Sequence, residues 1–161
     1  MKYPAAQEPV DFFEACEPPT VTHHHKGVRT IKLGGGKFAS RMYDKPELVA
    51  ARDFWASLFM NHRPPAPLTG ALRLTIDLTF GWRKDDPKWK RELGWWPSTT
   101  KPDNSNSLKT IEDTLKRLLF FKDDNQVAEA VVTKRHGNNP GVRVRIESAS
   151  LPMPRSGELD L

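Results

Sequence analysis

The sequence has one cysteine and no long apolar run, and both features narrow the class of protein. Cys16 alone cannot build an internal disulfide framework or a cysteine-based structural zinc site, which favours a reducing compartment. No stretch approaches the roughly 18 apolar residues of a membrane span. The opening residues, MKYPAAQEPVDFF, also lack the apolar core of a signal peptide. We therefore expect a cytoplasmic protein with no membrane partner.

The composition is that of one ordinary domain with a positive charge. The chain has 161 residues, 37% hydrophobic and 28% charged, which is enough to bury a core and short enough for one domain. The net charge of +5 and the isoelectric point near 9.4 favour an anionic partner, because each Lys or Arg on a phosphate releases condensed counterions. Many basic proteins bind neither nucleic acid nor membrane, so the placement of the charges matters more than their total.

The chain divides into an arm, a folded domain and a tail, with no internal repeat. Prolines at positions 4, 9, 18 and 19 predict a flexible arm over residues 1–22. Residues 148–161, SASLPMPRSGELDL, have no periodicity and predict a disordered tail. The folded domain is expected between them, over residues 23–147.

The first half of this domain predicts a hairpin, a helix and a strand. VRTIKL and KFASRMY flank three glycines at 34–36, and glycine supplies the positive φ that tight turns need. DKPELVAARDFWASLFM predicts a helix with Asp44 as its N-cap and Glu47 three residues further on. ALRLTIDLTF alternates apolar and polar residues with the period of a strand.

The second half predicts a loop, a helix and two strands. Residues 81–104 are irregular, and residues 106–119 have helical spacing. The apolar stripe of this second helix contains Leu108, Ile111, Leu115, Leu118 and Leu119. QVAEAVVTKR and GVRVRIE predict strands joined by the turn HGNNP. The order of elements indicates a single mixed α/β or α+β domain.

Carboxylates flank the second helix. Asp103 precedes it, and Asp123 and Asp124 follow it. A helix of 14 residues is about 21 Å long, so these groups meet only if the loops bend back or if two subunits share a site. Magnesium prefers such hard oxygen ligands, and a nearby lysine such as Lys109 can neutralise charge in phosphodiester hydrolysis. The alternative is that Asp103 caps the helix and the aspartate pair is a solvated turn.

Residues 101–126 resemble the RusA-type Holliday junction resolvases, whose signature is roughly K-P-D-x-D-N-L-x-K-x-x-x-D-A-L followed by D-D-x-Q-V. The matching residues are Lys101, Pro102, Asp103, Asn106, Lys109, Asp113, Leu115, Asp123, Asp124, Gln126 and Val127. The resemblance is specific over about residues 101–146. It implies a mixed sheet packed against two main helices and an intertwined homodimer that nicks four-way junctions symmetrically. It also implies Mg²⁺ held by Asp103, Asp123 and Asp124, with Lys109 as the catalytic lysine.

Two residues depart from this signature. Ser105 stands where the family has its second aspartate, and Ser107 stands where leucine is usual. Ser105 removes a full negative charge, and Glu112, one turn beyond Lys109, is the nearest new carboxylate. We hypothesise that Glu112 supplies the missing charge, the alternative being an ion pair with Lys109 or Lys116. Asp113 matches a family aspartate and is a metal-ligand candidate, or a partner of Lys109 at i, i+4.

Basic and aromatic residues alternate over residues 80–97, FGWRKDDPKWKRELGWWP. Stacking on aromatics with phosphate contacts from lysines is how unpaired nucleotides are held, although some tryptophans fit a core or dimer interface equally well. The candidate DNA-binding residues are Lys26, Arg29, Lys32, Lys37, Arg41, Lys84, Lys88, Trp89, Lys90, Arg91 and Lys101. Histidines at 23–25 are expected to line the approach of DNA, and Arg73, Arg143 and Arg145 either extend this surface or are ordinary solvated positions.

The resemblance, supported by the basic and aromatic surface, implies a structure-selective endodeoxyribonuclease of recombination or repair. It is expected to use Mg²⁺, with Mn²⁺ as an alternative, and to act on branched DNA as a homodimer, because two related strands must be cut. The alternatives are a weakened junction-binding protein on the same scaffold, because of Ser105, and a nuclease for flaps or other branched DNA.

Overall fold

A five-stranded mixed sheet, a separate hairpin and three helices make up the part of the chain that the computed structural model describes, residues 7–21 and 26–150. The strands are β1 (Val10–Ala15), β2 (Lys26–Lys32), β3 (Phe38–Asp44), β4 (Leu72–Phe80), β5 (Trp95–Pro97), β6 (Val127–Gly137) and β7 (Gly141–Ser148). The helices are α1 (Pro46–Phe59), α2 (Lys88–Glu92) and α3 (Asn104–Arg117). None of the helices in these ranges is long and apolar enough to cross a membrane.

The main sheet has the order β1-β7-β4-β6-β5. β4 runs parallel to β6, while the other neighbouring pairs are antiparallel. Every second residue of β4 is buried, from Leu72 to Phe80, as its alternation predicted. α1 and α3 contact each other, and both add buried residues to the core that these strands form. The predicted α+β domain, a mixed sheet with two main helices, is therefore confirmed.

The core lies between the sheet and the two long helices. It combines alternate residues of β4 and β7 with Trp55 and Phe59 of α1, Ile111 and Leu115 of α3, and Phe120. Burying each such large side chain is worth about 1.5–3 kcal/mol, so this layer fixes the direction of α3. α3 also buries three small polar residues, whose hydroxyls each donate to the carbonyl four residues earlier: Ser107, Thr110 and Thr114.

The opposite face of the sheet carries paired charges. Arg143 donates to Asp11 at 2.9 Å, and Arg145 donates to Glu147 at 2.8 Å. Arg73 lies 3.7 Å from Glu129, and Arg135 lies 3.6 Å from Asp77. We call this surface the open face. Its arginines are matched by carboxylates, so Arg73, Arg143 and Arg145 do not extend a basic surface.

The predicted hairpin around residues 34–36 is confirmed. β2 and β3 pair with each other and not with the main sheet. The ring of Tyr43 lies directly over Gly27, where an added Cβ would meet its Cζ at 2.4 Å, so a larger residue there would displace this ring. Val28, Phe38 and Met42 are 64–66% exposed and share one side of the hairpin, because they occupy alternate positions of the register.

Several local predictions were wrong. Residues 10–15 of the predicted flexible arm form β1, which pairs along its whole length with β7. Gly141 permits this pairing, since a Cβ there would lie 2.5 Å from the carbonyl oxygen of Glu14.

The stretch at 81–104, predicted to be irregular, contains α2 and β5. Asp44 does not cap α1 but forms an ion pair with Arg52, and Leu119 is exposed beyond the end of α3. Residues 1–6, 22–25 and 151–161 lie outside the described residues.

Candidate active site and nucleic-acid surface

Asp103 occupies the N-cap of α3, with its carbonyl oxygen accepting from the backbone of Asn106 and Ser107. Its side chain makes no capping hydrogen bond and is exposed. The loop before it is anchored by Lys134 of β6, whose ammonium donates to the carbonyls of Thr100 and Pro102 at 2.6 Å each. The alternative of a helix-capping carboxylate is therefore wrong, and Asp103 presents its charge to solvent.

The end of α3 turns the chain back along the helix. Leu119 adopts a left-handed conformation with φ 62°, its N–H bonds to the carbonyl of Lys116, and Phe120 bonds to that of Leu115. This is a Schellman ending, built here on leucine instead of glycine. It directs Phe120 and Phe121 into the core, where both are fully buried. The chain that follows returns beside α3, so Asp124 lies next to lysines of that helix.

Asp124 meets two lysines of α3. Its carboxylate accepts from Lys109 at 3.0 Å and from Lys116 at 3.2 Å. Lys109 also lies 3.0 Å from Asp113 and 3.6 Å from Glu112. We call these five residues the Lys109 cluster. Asp113 is thus the i, i+4 partner that the sequence offered as an alternative to a metal ligand.

The charges in this cluster shift one another's ionisation. The hydrogen bond to Asp113, assisted by that to Asp124, raises the pKa of Lys109 above its ordinary range. The hydrogen bonds from Lys109 and Lys116 hold the pKa of Asp124 well below its ordinary value. Burial raises the pKa of Glu112, whose side chain is 13% exposed. Lys109 is therefore a permanent cation and not a proton acceptor.

Asp123 and Gln126 form a brace that positions Asp124. The Asp123 carboxylate accepts a hydrogen bond from the backbone N–H of Asn125 at 3.0 Å. The side-chain oxygen of Gln126, Oε1, accepts one from the backbone N–H of Asp123 at 3.0 Å. The Gln126 amide nitrogen donates to the carbonyls of Leu68 and Gly70 at 3.1 and 3.2 Å. Gln126 matches the family signature, but no function was predicted for it from the sequence. Its spacing of three residues from an aspartate was the available signal, since that is the pattern of a capping box.

The three predicted metal ligands have the right chemistry for magnesium. Asp103, Asp123 and Asp124 offer hard carboxylate oxygens, and Mg²⁺ commonly takes one or two carboxylates together with water and phosphate. Within residues 7–21 and 26–150, no three side chains of the His, Cys, Asp or Glu type converge on a point that would hold a metal. Within one subunit, a Mg²⁺ site would therefore draw on one or two of these carboxylates, with water and substrate as the remaining ligands.

The predicted DNA-binding residues fall on two surfaces. Lys26, Arg29, Lys32, Lys37 and Arg41 lie on or beside the hairpin, and Lys84, Lys88, Trp89, Lys90, Arg91 and Lys101 lie between β4 and α3. Arg29 and Arg41 face each other directly across the hairpin. Opposed like charges are unfavourable, so an anion between them would stabilise this pair. The histidines at 23–25 lie outside the described residues.

The tryptophans divide between structure and surface. Trp55 is in the core, and the indole of Trp82 donates to Asn138 at 2.7 Å. The other three, Trp89, Trp95 and Trp96, are exposed. Gly94, with φ 84°, makes the turn that leads from α2 into β5.

A match to a known protein family gives the class of this mixed fold, which is that of the endodeoxyribonucleases. The model of the family Endodeoxyribonuclease RusA matches residues 18–147, and the chain belongs to this family. An uncharacterized protein of Bacillus subtilis (strain 168), YqaN, is 32% identical over 114 residues, which is 68% of this chain and 80% of YqaN. The crossover junction endodeoxyribonuclease rusA of Lactococcus phage r1t is 24% identical over 135 residues, or 83% of this chain and 93% of the phage protein.

Proposed function

We propose that the protein is a magnesium-dependent endodeoxyribonuclease that resolves four-way DNA junctions by symmetric nicking in recombination or repair. The observation that carries the proposal is the contact between Asp124 and Lys109, which are 15 residues apart in the sequence and 3.0 Å apart in the structure. It joins the two halves of the family signature on the helix that Asp103 begins. The family membership supports the same reaction class.

The chain supplies electrostatic stabilisation in this reaction. A Mg²⁺ ion held by Asp103, Asp124 or both, with Asp123 adjacent, would supply Lewis acidity toward the phosphate and its water. Lys109 stays protonated, and its ammonium stabilises the negative charge that develops on the attacked phosphate. Asp113 and Glu112 hold the ammonium in place through contacts of 3.0 and 3.6 Å.

Glu112 is proposed to replace the charge lost at Ser105. The two residues are seven positions apart on α3, so they lie on one side of the helix with a separation of about 10 Å. Glu112 therefore compensates for the missing charge through its electrostatic effect on Lys109 and Asp124. It does not occupy the position of the family aspartate. Burial raises the pKa of Glu112 because it disfavours the charged carboxylate.

We further propose a homodimer in which the hairpin contacts the second subunit. An isolated two-stranded hairpin is at best marginally stable in water, and within residues 7–21 and 26–150 no other element makes more than slight contact with β2 and β3, such as the Asp44–Arg52 ion pair. The side bearing Val28, Phe38 and Met42 is suited to a subunit contact, while the side bearing Arg29 and Arg41 is suited to phosphate. Met42→Asp is expected to convert a dimer to a monomer in light scattering, whereas Thr69→Asp on a loop is not.

A synthetic mobile four-way junction tests the proposed activity. With Mg²⁺ present we expect paired, symmetric nicks whose ends can be ligated, and no cutting of linear duplex. Binding without cutting, with cutting restored by Ser105→Asp, would favour the second candidate, a weakened junction-binding protein. Cutting of flaps at a rate above that of junctions would identify the substrate as another branched DNA.

A further inference from the structure

Three tryptophan side chains stand exposed at one edge of the main sheet. Trp89 is 51% exposed, Trp95 is 54% and Trp96 is 37%. A buried aromatic side chain removes roughly 150–250 Å² from water, so leaving three in solvent forgoes a large stabilisation. A surface that keeps two such side chains together, as Trp89 and Trp96 are, is suited to a partner with flat apolar faces.

Two of these tryptophans share one cation. The ring centroids of Trp89 and Trp96 are 5.2 Å apart, with an interplanar angle of 87°. The ammonium of Lys90 lies 4.9 Å from the centroid of Trp96 and 5.7 Å from that of Trp89. We call Trp89, Lys90 and Trp96 the indole platform. It places a positive charge and two aromatic rings within a few ångströms of one another.

The third tryptophan belongs to the other side of the sheet. Successive residues of a strand point to opposite faces, so Trp95 is directed away from the indole platform. Its ring lies 5.4 Å from the guanidinium of Arg135, which also contacts Asp77 on the open face. Trp95 is therefore an internal control, because it is as exposed as Trp89 and lies on the same three-residue strand as Trp96.

The indole platform lies on the side of the sheet that leads to α3. Trp96 pairs with His136 of β6, and Lys134, two residues earlier, shares that face. Lys134 binds the carbonyls of Thr100 and Pro102, immediately before Asp103. The connection from the platform to the start of α3 is thus a short loop fixed to β6.

The surrounding charge favours an anion. Residues 83–101 contain six basic side chains and three acidic ones. Two of the three acids are already engaged: Asp86 accepts from the backbone of Arg83 at 2.7 Å, and Glu92 lies 3.7 Å from Lys88. Two copies of this positive surface would repel each other, so a second subunit is the poorer occupant.

We propose that the indole platform binds an unpaired nucleotide of branched DNA, with the base stacked on an indole and a phosphate near Lys90. Base–aromatic stacking tolerates every sequence, which suits a protein that recognises DNA by structure. This inference rests on the proposed function, since branched DNA is the substrate that would present unpaired bases to this surface.

Fluorescence anisotropy in a chelator, which separates binding from cutting, tests the platform. The probes are an oligothymidylate, a four-way junction and a blunt duplex, and the variants are Trp89→Ala, Trp96→Ala, Trp96→Phe and Trp95→Ala. We expect each of the two platform alanine variants to weaken binding of oligothymidylate and junction about tenfold. Trp96→Phe keeps an aromatic face and should stay within about threefold of the wild type. Trp95→Ala should bind as the wild type does.

A purely structural role predicts a different pattern. The Trp89–Trp96 contact joins α2 to β5, so loss of folding would lower the melting temperature and duplex binding together with junction binding. Equal oligothymidylate binding by wild type and both platform variants would overturn the proposal, as would a wild type that does not bind oligothymidylate. The proposal would also be overturned if Trp95→Ala lost as much binding as the platform variants do. It would equally be overturned if a platform variant changed only by dissociation of a dimer.

The same experiment separates this inference from the proposed function. A wild type that binds oligothymidylate through Trp96 but leaves junctions uncut would refute the nuclease and keep the platform. Junction nicking and binding that are unaffected by both platform variants would refute the platform and keep the nuclease.

Discussion

The open face of the sheet and the Lys109 cluster use the same residue types in opposite ways. On the open face each arginine lies near a carboxylate of its own strand or of a neighbouring strand, and the charges neutralise one another. In the Lys109 cluster three carboxylates surround one lysine, and Asp124 also holds a second. Exposed ion pairs of the first kind contribute little to stability, about 0–1 kcal/mol each. The candidate site is therefore distinguished by several carboxylates gathered around one lysine, and not by the number of its ion pairs.

The largest effect is expected from removing the central cation. Lys109→Met should lower junction cleavage about 100-fold or more while leaving junction binding within a few-fold, because charge stabilisation of the transition state is lost. Arg143→Met, the matched change on the open face, should leave cleavage unchanged. The measurement is single-turnover nicking with excess enzyme. Equal losses in the two variants would remove the contrast between the two regions.

A smaller effect is expected from neutralising Glu112. Glu112→Gln keeps the shape of the side chain but removes the charge that we propose compensates for Ser105. We expect cleavage to fall about tenfold, with Glu147→Gln on the open face as the control. Cleavage by Glu112→Gln at the full rate would leave Glu112 as a structural partner of Lys109. The double variant Ser105→Asp, Glu112→Gln should recover the lost activity.

The hairpin arginines should change how binding depends on salt. Arg29→Ala combined with Arg41→Ala should reduce the slope of log affinity against log salt by about two, since two phosphate contacts are lost. Arg143→Ala combined with Arg145→Ala removes the same charge from the open face and should leave the slope unchanged. Junction binding measured between low and physiological salt decides between them. An unaltered slope for the hairpin variant would place the DNA elsewhere.

The smallest expected effect is acid destabilisation. The pKa values of Asp11, Asp124 and Glu147 are lowered by hydrogen bonds from Arg143, Lys109 and Arg145 respectively. A lowered folded-state pKa stabilises above the unfolded value, near 4, and this stability is lost as pH falls through the folded value. Glu112, whose pKa is raised, acts in the opposite direction. Melting temperatures should therefore decline below about pH 4, and Glu112→Gln should decline more steeply than the wild type.

The sequence predicted the elements whose periodicity is set by burial. β4 alternates because one side of it packs under the helices, and α3 is amphipathic because Ile111 and Leu115 enter the core. β1 was missed because a proline-rich composition suggested an arm, whereas pairing with β7 depends on Gly141, about 130 residues away. Such long-range pairing leaves little trace in local composition.

The sequence named the residues of the candidate site, but their arrangement came only from the structure. The family signature identified Asp124 and Lys109, but helix length alone suggested that carboxylates at the two ends of α3 stay apart. The Schellman ending at Leu119 reverses the chain, and a leucine there gives no sign of a left-handed conformation. Asp113 and Glu112 were ambiguous because ion pairing and metal ligation use the same residue types.

Gln126 has a consequence for how variation in this protein should be interpreted. Its amide ties the residues that carry Asp124 to the carbonyls of Leu68 and Gly70, which precede β4. The loop after the proline-rich connector at 63–67 therefore determines where along α3 Asp124 lies. Insertions or proline changes in this loop, which carries no chemistry of its own, should alter cleavage without altering DNA affinity. A survey of activity-determining positions that stops at the charged residues would overlook them.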